Sequence, residues 1–244
     1  MNICVMGHTG FLGSMVYEVL SKTFRCDNVI GISSKDKDYL SFFDVIVNCA
    51  GVSARYLVAR YPDAAYTTEK KIASRIENMN FERLIHVSSV CATVIESAHP
   101  YNLMKLYMEN RYREIVQPTS RLVVLRPGGM VGKGIKKNVV FDILNDKPIF
   151  VTEDSIHYYI STDDIANIIS LIIKDKSLDG IIDVAGDGGV TVKEICQILG
   201  KKPQQFGTMK EVYSIGIDKL KTFFKPKSSA EYIREIKCLY EKEK

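Results

Sequence analysis

The sequence lacks the features that mark membrane, secreted and zinc-binding proteins. No uninterrupted apolar stretch approaches the length needed to cross a membrane. The first residues, MNICVMG, contain no basic segment followed by a small-residue cleavage site. The six cysteines are scattered and none forms a C-x-x-C pair, so neither a zinc site nor a disulfide framework is indicated. We therefore expect a cytoplasmic protein that holds no metal ion.

A strong excess of charge is also missing. The formal net charge is +4 in 244 residues, and the lysines are spread over predicted helix faces and the C-terminal third. A solvated basic surface explains this mild excess, so we do not expect a nucleic-acid partner. The apolar fraction of 46% and the charged fraction of 25% are ordinary for a soluble globular protein. The length fits one domain or a domain with a smaller lobe.

The N-terminal segment MNICVMGHTGFLG carries the first functional pattern. Ile3 to Met6 suits a buried parallel strand, and a helix is predicted from Ser14 to Leu20. Gly7 can form the tight turn, Gly10 lets backbone approach a pyrophosphate, and Gly13 lets the helix pack closely on the strand. The phosphates would lie at the helix N-terminus. The same spacing also fits an ordinary strand-to-helix turn.

Strand and helix patterns alternate along the rest of the chain. Strands are predicted at 28–32, 45–47, 84–87, 122–125 and 181–184, with an extended segment at 158–160; helices are predicted at 63–78, 101–115, 139–144, 165–173 and 191–199. Thr191 and Glu194 form a capping box at the last of these helices. Only about ten residues separate the second and third strands, which leaves little room for a helical crossover.

This alternation predicts an α/β protein with a doubly wound parallel sheet. We expect residues 1–126 to form the dinucleotide-binding domain. Residues 127–244 would form a smaller, interwoven substrate-binding lobe, with 161–185 returning to the core of the first domain.

The end of the second predicted strand bears on the choice of cofactor. An acidic residue there would bind a ribose 2′-hydroxyl and repel a 2′-phosphate. The position holds Ser33, and Ser34 and Lys35 can donate to a phosphate. This favours NADP(H) over NAD(H); the nearby acidic Asp36 favours the alternative, NAD(H).

Ser88 and Ser89 end another predicted strand, and Tyr101 and Lys105 follow on a predicted helix. Positions i and i+4 share a helix face, so the Tyr101 hydroxyl and the Lys105 ammonium can act on one substrate. The lysine charge would lower the phenol pKa and favour proton exchange with a carbonyl, whose oxygen a serine hydroxyl could hold. The alternative is a surface helix with a chance Tyr and Lys at this spacing.

Taken in order, GHTGFLG, VNCAG, HVSS, YNLMKLYME, LRPGGMVGKG and YYISTDDIA resemble the extended short-chain dehydrogenase/reductases, also called the NAD-dependent epimerase/dehydratase family. The likeness covers almost the whole chain, including the closing segment GIDKLKTFFKPKSSAEYIREI. This resemblance implies a Rossmann fold and an NAD(P)-dependent enzyme that acts on a nucleotide-activated sugar.

The resemblance also implies roles for individual residues. The pyrophosphate loop would comprise Gly7, Thr9, Gly10, Phe11, Leu12 and Gly13, and the adenine and ribose side Asn48, Ala50 and Gly51. Tyr101 would be the acid/base, Lys105 would lower its pKa and bind the nicotinamide ribose, and Pro127 would begin the nicotinamide-side loop. Ser89 fits the catalytic serine best and Ser88 is the fallback.

Departures from the family pattern narrow the expected reaction. Val90 and Cys91 stand where sugar dehydratases of the family carry Asp and Glu, so dehydration is disfavoured. Cys91 resembles instead the Ser-x-Cys of GDP-fucose synthases and GDP-mannose 3,5-epimerases, whose second base would fall on Lys133, Lys136 or Lys137. The alternative is a small core cysteine and a solvated loop of lysines.

The function expected first is reduction of a 4-keto-6-deoxy sugar nucleotide with Tyr101 as proton donor. The alternatives are a nucleotide-sugar epimerase that retains its cofactor, with Cys91 as a base, and a non-catalytic NADP-binding regulator. A homodimer through the helix that carries Tyr101 and Lys105 is a further expectation, with Leu106, Met108 and Tyr112 on its face.

Overall fold

The computed structural model describes residues 1–36, 42–94, 99–203 and 205–242. The predicted short crossover after Lys35 and the short loop before Tyr101 fall partly on 37–41 and 95–98, outside the described residues. The strands are β1 (Asn2–Met6), β2 (Asn28–Ile32), β3 (Phe42–Asn48), β4 (Asn80–Val87), β5 (Arg121–Pro127), β6 (Gly129–Val131), β7 (Ile156–His157), β8 (Tyr159–Ser161), β9 (Gly180–Val184) and β10 (Val190–Thr191). The helices are α1 (Phe11–Thr23), α2 (Arg55–Arg60), α3 (Pro62–Glu77), α4 (Pro100–Ile115), α5 (Val139–Leu144), α6 (Thr162–Lys174), α7 (Val192–Leu199), α8 (Asp218–Lys221) and α9 (Ser229–Lys242), and a 3₁₀ helix spans Val90–Thr93.

The main sheet has six strands in the order β2-β1-β3-β4-β5-β9. Strands β1 to β5 pair in parallel, with Met6 opposite Asn48 and Asn48 opposite His86. The strand order reverses at β1, which lies between β2 and β3, so the switch point of the sheet is at the carboxyl ends of β1 and β3. The predicted doubly wound parallel sheet is confirmed.

The apolar runs in the sequence become the interior of this sheet. Ile3, Val5, Ile46 and Leu84 are inaccessible to solvent, as expected for parallel strands covered by helices. One face packs on α3 and α4 through a cluster of buried side chains: Cys4, Met6, Ile32, Phe43, Ile46, Ala73, Ile76, Met79, Leu84, Met108, Tyr112 and Ile115.

The boundaries differ from the predictions where local signals are weak. Helix α1 begins at Phe11 rather than Ser14, because Gly10 already has the extended backbone of an N-cap residue. Strand β4 begins four residues before the predicted Leu84 and includes Arg83, a charged residue that apolar patterning would leave out. Helix α2 and the 3₁₀ helix were not predicted, since each spans less than two helical turns.

The chain divides into two compact units. The first comprises residues 1–126 and 166–182, and the second comprises residues 127–165 and 183–244. The second unit contains a parallel pair, β6 with β8, and an antiparallel pair, β7 with β10. Its helix α7 begins at the predicted capping box, in which the Thr191 hydroxyl accepts from the Glu194 N–H and the Glu194 carboxylate accepts from the Thr191 N–H. This capping box is confirmed.

The described residues include neither a membrane-spanning helix nor a cluster of metal ligands. Every helix in this part of the chain is too short or too polar to span a lipid bilayer. The same residues contain no group of three or more His, Cys, Asp or Glu side chains that could hold a metal ion.

Arg83 fixes the end of α6 within the first unit. Its side chain is buried, and one terminal nitrogen donates to the Ile172 and Asp175 carbonyls at 2.6 and 3.3 Å. The other donates to the Leu178 carbonyl. The last carbonyls of a helix have no partners within the helix, and a cation there is favourable. Arg83 therefore ties the interior of β4 to the turn that follows α6.

The substitution Arg83→Met should lower the free energy of unfolding by about 2–4 kcal/mol, because it removes a buried cation and its hydrogen bonds to the Ile172 and Leu178 carbonyls. Urea unfolding of the cofactor-free protein measures the change. Arg121→Met is the matched control: Arg121 also donates to a carbonyl, that of Lys176, but is exposed, and its loss should cost less than about 1 kcal/mol. Equal losses for the two variants would contradict the assignment.

Candidate active site

The candidate site lies at the carboxyl edge of the sheet. The glycine-rich turn follows β1, the segment Asn48 to Gly51 follows β3, and Ser88 and Ser89 follow β4. These strands are neighbours in the sheet and run parallel, so their ends converge on one edge. Ligands of open α/β sheets bind outside the carboxyl ends of the strands at the switch point.

The turn after β1 needs glycine at two positions for measurable reasons. Gly7 has a φ of +77°, and a Cβ there would lie 2.8 Å from the Ala50 nitrogen. A Cβ on Gly13 would lie 2.0 Å from the Gly7 carbonyl oxygen, because α1 packs directly on the turn. Gly10 is the N-cap of α1 and has no side chain to cap the first N–H groups. The turn therefore offers backbone donors at a helix N-terminus, which fits a pyrophosphate.

The other residues of the predicted pyrophosphate loop differ in exposure. Thr9 and Gly10 are exposed, Phe11 is half-buried and Leu12 is buried. The Leu12 side chain therefore packs in the interior rather than towards a ligand.

Asn48 is fully buried, and its side chain makes hydrogen bonds within the protein interior. Its amide nitrogen donates to the Tyr112 hydroxyl at 2.9 Å and lies 3.2 Å from the His86 Nδ1. Its oxygen accepts from the Ala50 N–H at 3.1 Å and so shapes the turn after β3. Burial lowers the pKa of His86 well below its usual range, and the Lys105 charge acts in the same direction. The half-buried Ala50 and the exposed Gly51 are the parts of this turn open to a ligand.

Tyr101, Lys105 and Ser89 are brought together as the sequence predicts. Helix α4 begins at Pro100 behind an N-cap His99, whose Nδ1 accepts from the Tyr101 N–H at 3.1 Å. Lys105 follows one turn later, and its ammonium lies 5.5 Å from the centre of the Tyr101 ring. The Tyr101 side chain hydrogen-bonds that of Ser89. The three groups form one cluster.

The electrostatics of Tyr101 differ from the prediction. Burial raises the pKa of its phenol, whereas Lys105 and the Ser89 hydrogen bond lower it. The outcome is a raised pKa, so the expectation of a lowered one is wrong, although Lys105 acts in the predicted direction. Desolvation wins because only 7% of the tyrosine surface reaches solvent.

Glu69 is a member of the site that the sequence analysis missed. It lies on α3 with no solvent exposure, and its Oε1 accepts from the Lys105 ammonium at 2.9 Å and from the Val52 N–H at 2.9 Å. The sequence does contain a signal for this residue, because Glu69 is spaced to share the buried face of α3 with Ala65 and Ala73. A carboxylate on the apolar face of an amphipathic helix needs a buried partner.

The two serines after β4 have different surroundings. The Ser88 hydroxyl donates to the Glu109 carboxylate at 2.6 Å, and the Arg126 guanidinium binds both oxygens of that carboxylate at 2.9 and 2.6 Å. Ser89 instead caps the 3₁₀ helix, with its hydroxyl accepting from the Cys91 N–H at 3.2 Å, and hydrogen-bonds Tyr101. The geometry favours Ser89 over Ser88 as the partner of Tyr101.

The proposed second bases fall in different units of the chain. Cys91, in the first unit, is buried beside the cluster, where it interacts electrostatically with Tyr101 and Lys105. Lys133, Lys136 and Lys137 are residues of the second unit, as is Pro127, which is buried at the end of β5. Lys133 and Lys136 are exposed.

The end of β2 forms a braced turn. The Ser33 N–H donates to the Asp36 carboxylate at 2.6 Å, and this hydrogen bond lowers the pKa of Asp36. Arg75 on α3 donates to the carbonyls of Ser33 and Asp36, at 2.7 Å each. Ser34 and Lys35 are exposed. Arg75 could not be identified from the sequence, because its contacts depend on the packing of α3 against the segment that follows β2.

The proposed dimer face needs a correction. Met108 and Tyr112 are fully buried within the single chain, where they pack on the sheet, so they cannot form an interface. Leu106 is half-buried. The large apolar side chains that α4 exposes are Leu103 and Tyr107. The face of α4 that the sequence analysis assigned to a dimer interface therefore points into the protein, not towards solvent.

Comparisons with known proteins identify a family and a fold. The HIM1 family model matches residues 20–160, more than half of the chain, so the chain belongs to the HIM1 family. No curated protein matches it.

Solved structures of similar fold include UDP-glucuronic acid 4-epimerase from Bacillus cereus in complex with UDP-glucuronic acid and NAD, with a TM-score of 0.80, 16% identity and 100% of each chain covered. UDP-glucose 4-epimerase of Thermus thermophilus, in complex with NAD, has a TM-score of 0.79, 18% identity and 99% of each chain covered. dTDP-glucose 4,6-dehydratase from Bacillus anthracis, in complex with NAD, has a TM-score of 0.72 and 16% identity, covering 99% of this chain and 97% of that one. The chain shares the fold of these three enzymes, and the predicted Rossmann fold is confirmed.

Substitution of Ser88 and of Ser89 should have different effects on stability and on the ionisation of Tyr101. Ser88→Ala should lower the free energy of unfolding by about 1–2 kcal/mol, since it removes a buried hydrogen bond to a carboxylate, and should leave Tyr101 ionisation unchanged. Ser89→Ala should move Tyr101 ionisation to higher pH, because the lost hydrogen bond lowers the pKa of Tyr101. NMR of ¹³Cζ-labelled tyrosine, assigned with Tyr101→Phe, reads the ionisation. A Tyr101 shift in the Ser88 variant alone would reverse the assignment.

Proposed function

We propose that this protein is an NAD(P)-dependent oxidoreductase that acts on a nucleotide-activated sugar and reduces a keto group, most simply that of a 4-keto-6-deoxy sugar. The observation that carries the proposal is the Ser89, Tyr101 and Lys105 cluster at the carboxyl edge of a Rossmann sheet, beside a glycine turn suited to a pyrophosphate. The similar solved structures named above act on UDP or dTDP sugars and contain NAD.

The residues fit a nicotinamide dinucleotide at several points. A Cβ at Gly7 or Gly13 would clash with backbone, so the turn is tight, and the first N–H groups of α1 have no side-chain cap. Free N–H groups at a helix N-terminus suit a pyrophosphate. When bound, such a cofactor supplies a hydride to the sugar carbonyl carbon. The second unit would bind the sugar nucleotide, and the unit that holds the sheet would bind the dinucleotide.

The side chains of the cluster then handle the proton. The Tyr101 O–H gives its proton to the carbonyl oxygen as that oxygen gains negative charge, and Ser89 donates a hydrogen bond to the same oxygen. Lys105 stabilises the phenolate that remains until it takes a proton from solvent. Burial keeps Tyr101 protonated at neutral pH, as the raised pKa of its phenol indicates, which suits a proton donor.

An epimerase that retains its cofactor is the second candidate. Its support is the position of Cys91, which is buried beside Tyr101 and Lys105 rather than in a remote part of the core. A thiolate there would act on a carbon next to the keto group. Turnover that interconverts two sugar nucleotides without net oxidation of the cofactor would favour this candidate.

Tyr101→Phe should reduce turnover of 4-keto sugar nucleotides by about 10²–10⁴-fold, because it removes the proton donor, and should leave NADPH binding intact. The assay follows loss of reduced-nicotinamide absorbance over a panel of substrates. Tyr107→Phe is the matched control, since Tyr107 is exposed on the same helix. Full turnover by the Tyr101 variant would refute the role, and cofactor binding without oxidation across the panel would favour a non-catalytic regulator.

We further propose that the exposed Ser34 and Lys35 give NADP preference over NAD. Lys35→Ala should weaken NADPH binding by about tenfold, the value of one exposed charge-assisted contact, and leave NADH binding unchanged. Asp36→Asn should weaken NADH binding if the carboxylate at the strand end binds a ribose hydroxyl. Fluorescence titration gives the dissociation constants of both cofactors for each variant. Equal losses for both cofactors in the Lys35 variant would overturn the preference.

A further inference from the structure

Four ionisable side chains are buried together in the candidate site: Glu69, Cys91, Tyr101 and Lys105. Lys105 is the only cation among them, and its ammonium is 2.9 Å from a Glu69 oxygen. The side chains of this ion pair are 6% and 0% exposed, so solvent screens their charges little. Two further titratable groups of the described residues interact with the cluster: His86 on β4 with Lys105, and Tyr112 on α4 with Glu69.

The balance of charge in this cluster depends on which acids are ionised. With Tyr101 and Cys91 protonated, the Lys105 and Glu69 charges cancel. Ionisation of Tyr101 would place two negative groups around one ammonium in a site of low dielectric constant, where like charges repel strongly. His86 adds no positive charge, because burial and the Lys105 charge hold its pKa well below the usual range. Glu69 and Tyr101 therefore compete for one counter-ion.

The contacts of Glu69 do not resemble those of a residue kept for stability alone. One of its oxygens is fully paired, but the other is buried and makes no hydrogen bond within the described residues. Buried carboxylate pairs add little net stability, and an unsatisfied buried oxygen costs free energy. Gly51 lies against the carboxylate, where a Cβ would be 2.9 and 3.1 Å from its two oxygens.

We propose that Glu69 is a positioning residue that occupies Lys105 as its counter-ion, and so holds Tyr101 protonated and commits the site to proton donation to a carbonyl. The inference rests on the proposed function and narrows it to the reductive direction. The pKa of Tyr101 is consistent with this role of Glu69. Burial raises it most, Lys105 and Ser89 lower it, and Cys91 and Glu69 raise it further.

The experiment titrates Tyr101 in the full-length, cofactor-free protein by NMR of ¹³Cζ-labelled tyrosine, with Tyr101→Phe to assign the signal. Glu69→Gln keeps the size of the side chain and an acceptor oxygen but removes its charge. At a fixed pH below the midpoint, the ionised fraction of Tyr101 should rise about tenfold, equivalent to one pKa unit. The control is Glu77→Gln, which removes an exposed carboxylate on the same helix as Glu69; in the parent this carboxylate pairs with Arg111 on α4. The control should leave the ionised fraction of Tyr101 unchanged. An unchanged or smaller ionised fraction in Glu69→Gln would overturn the proposal.

A second variant covers the case in which Glu69→Gln leaves Lys105 unpaired and the chain unfolded. The double substitution Glu69→Gln with Lys105→Met removes both charges at once. If Glu69 offsets Lys105, the ionised fraction of Tyr101 should fall by less than about tenfold relative to the parent, which is less than one pKa unit. A larger fall would show that Lys105 acts on Tyr101 without that offset, and would overturn the proposal.

The titration uses no cofactor and no substrate, so it is independent of the reductase assay. A shifted Tyr101 signal with no turnover on the sugar panel would reject the proposed function and keep the role of Glu69. Turnover on the sugar panel with an unshifted Tyr101 signal would keep the proposed function and reject the role of Glu69.

Discussion

One buried positive charge organises the candidate site. The Lys105 ammonium lies between α3 and α4, where water cannot solvate it, and so it needs partners from the protein. Glu69 supplies the full negative charge, and the Tyr101 ring lies against the ammonium. Because Glu69 also accepts from the Val52 N–H, the same carboxylate connects the helix face to the turn after β3. A single ion pair thus connects α3, α4 and the turn after β3 at the carboxyl edge of the sheet.

A second buried network keeps the neighbouring strand end in place. Glu109 lies one turn beyond Lys105 on α4 and binds both Ser88, which follows β4, and Arg126, which lies on β5. Both oxygens of Glu109 have partners, whereas the Glu69 carboxylate has one oxygen without any among the described residues. Saturated polar networks make a structure rigid, while incomplete ones concentrate at functional sites. The Glu109 network therefore holds Ser88 in place at the end of β4.

Much of the fold could be predicted because its signals are local. The apolar runs of β1 and β5, the capping box of Thr191 and the alternation of strands with helices depend on residues close together in the sequence. The glycine turn is of the same kind, since Gly7 and Gly13 are required by contacts within one strand-turn-helix unit and by the adjacent Ala50. The prediction of the dimer face was wrong because it depends on contacts that are not local. The periodicity of α4 shows an apolar stripe at Met108 and Tyr112, but it does not show whether the sheet or a partner covers that stripe.

Local sequence is enough to predict the sheet class, the glycine turn and the placement of Tyr101 and Lys105 on one helix face, because helix and strand periodicities and backbone restrictions are properties of short segments. The electrostatic character of the site, in contrast, arises from contacts between distant segments. Glu69 is 36 residues from Lys105 in the chain and meets it through the packing of α3 on α4. The direction of the Tyr101 pKa depends on burial and on groups from separate segments of the chain. Charge interactions and desolvation act through space, so they become defined when the chain folds.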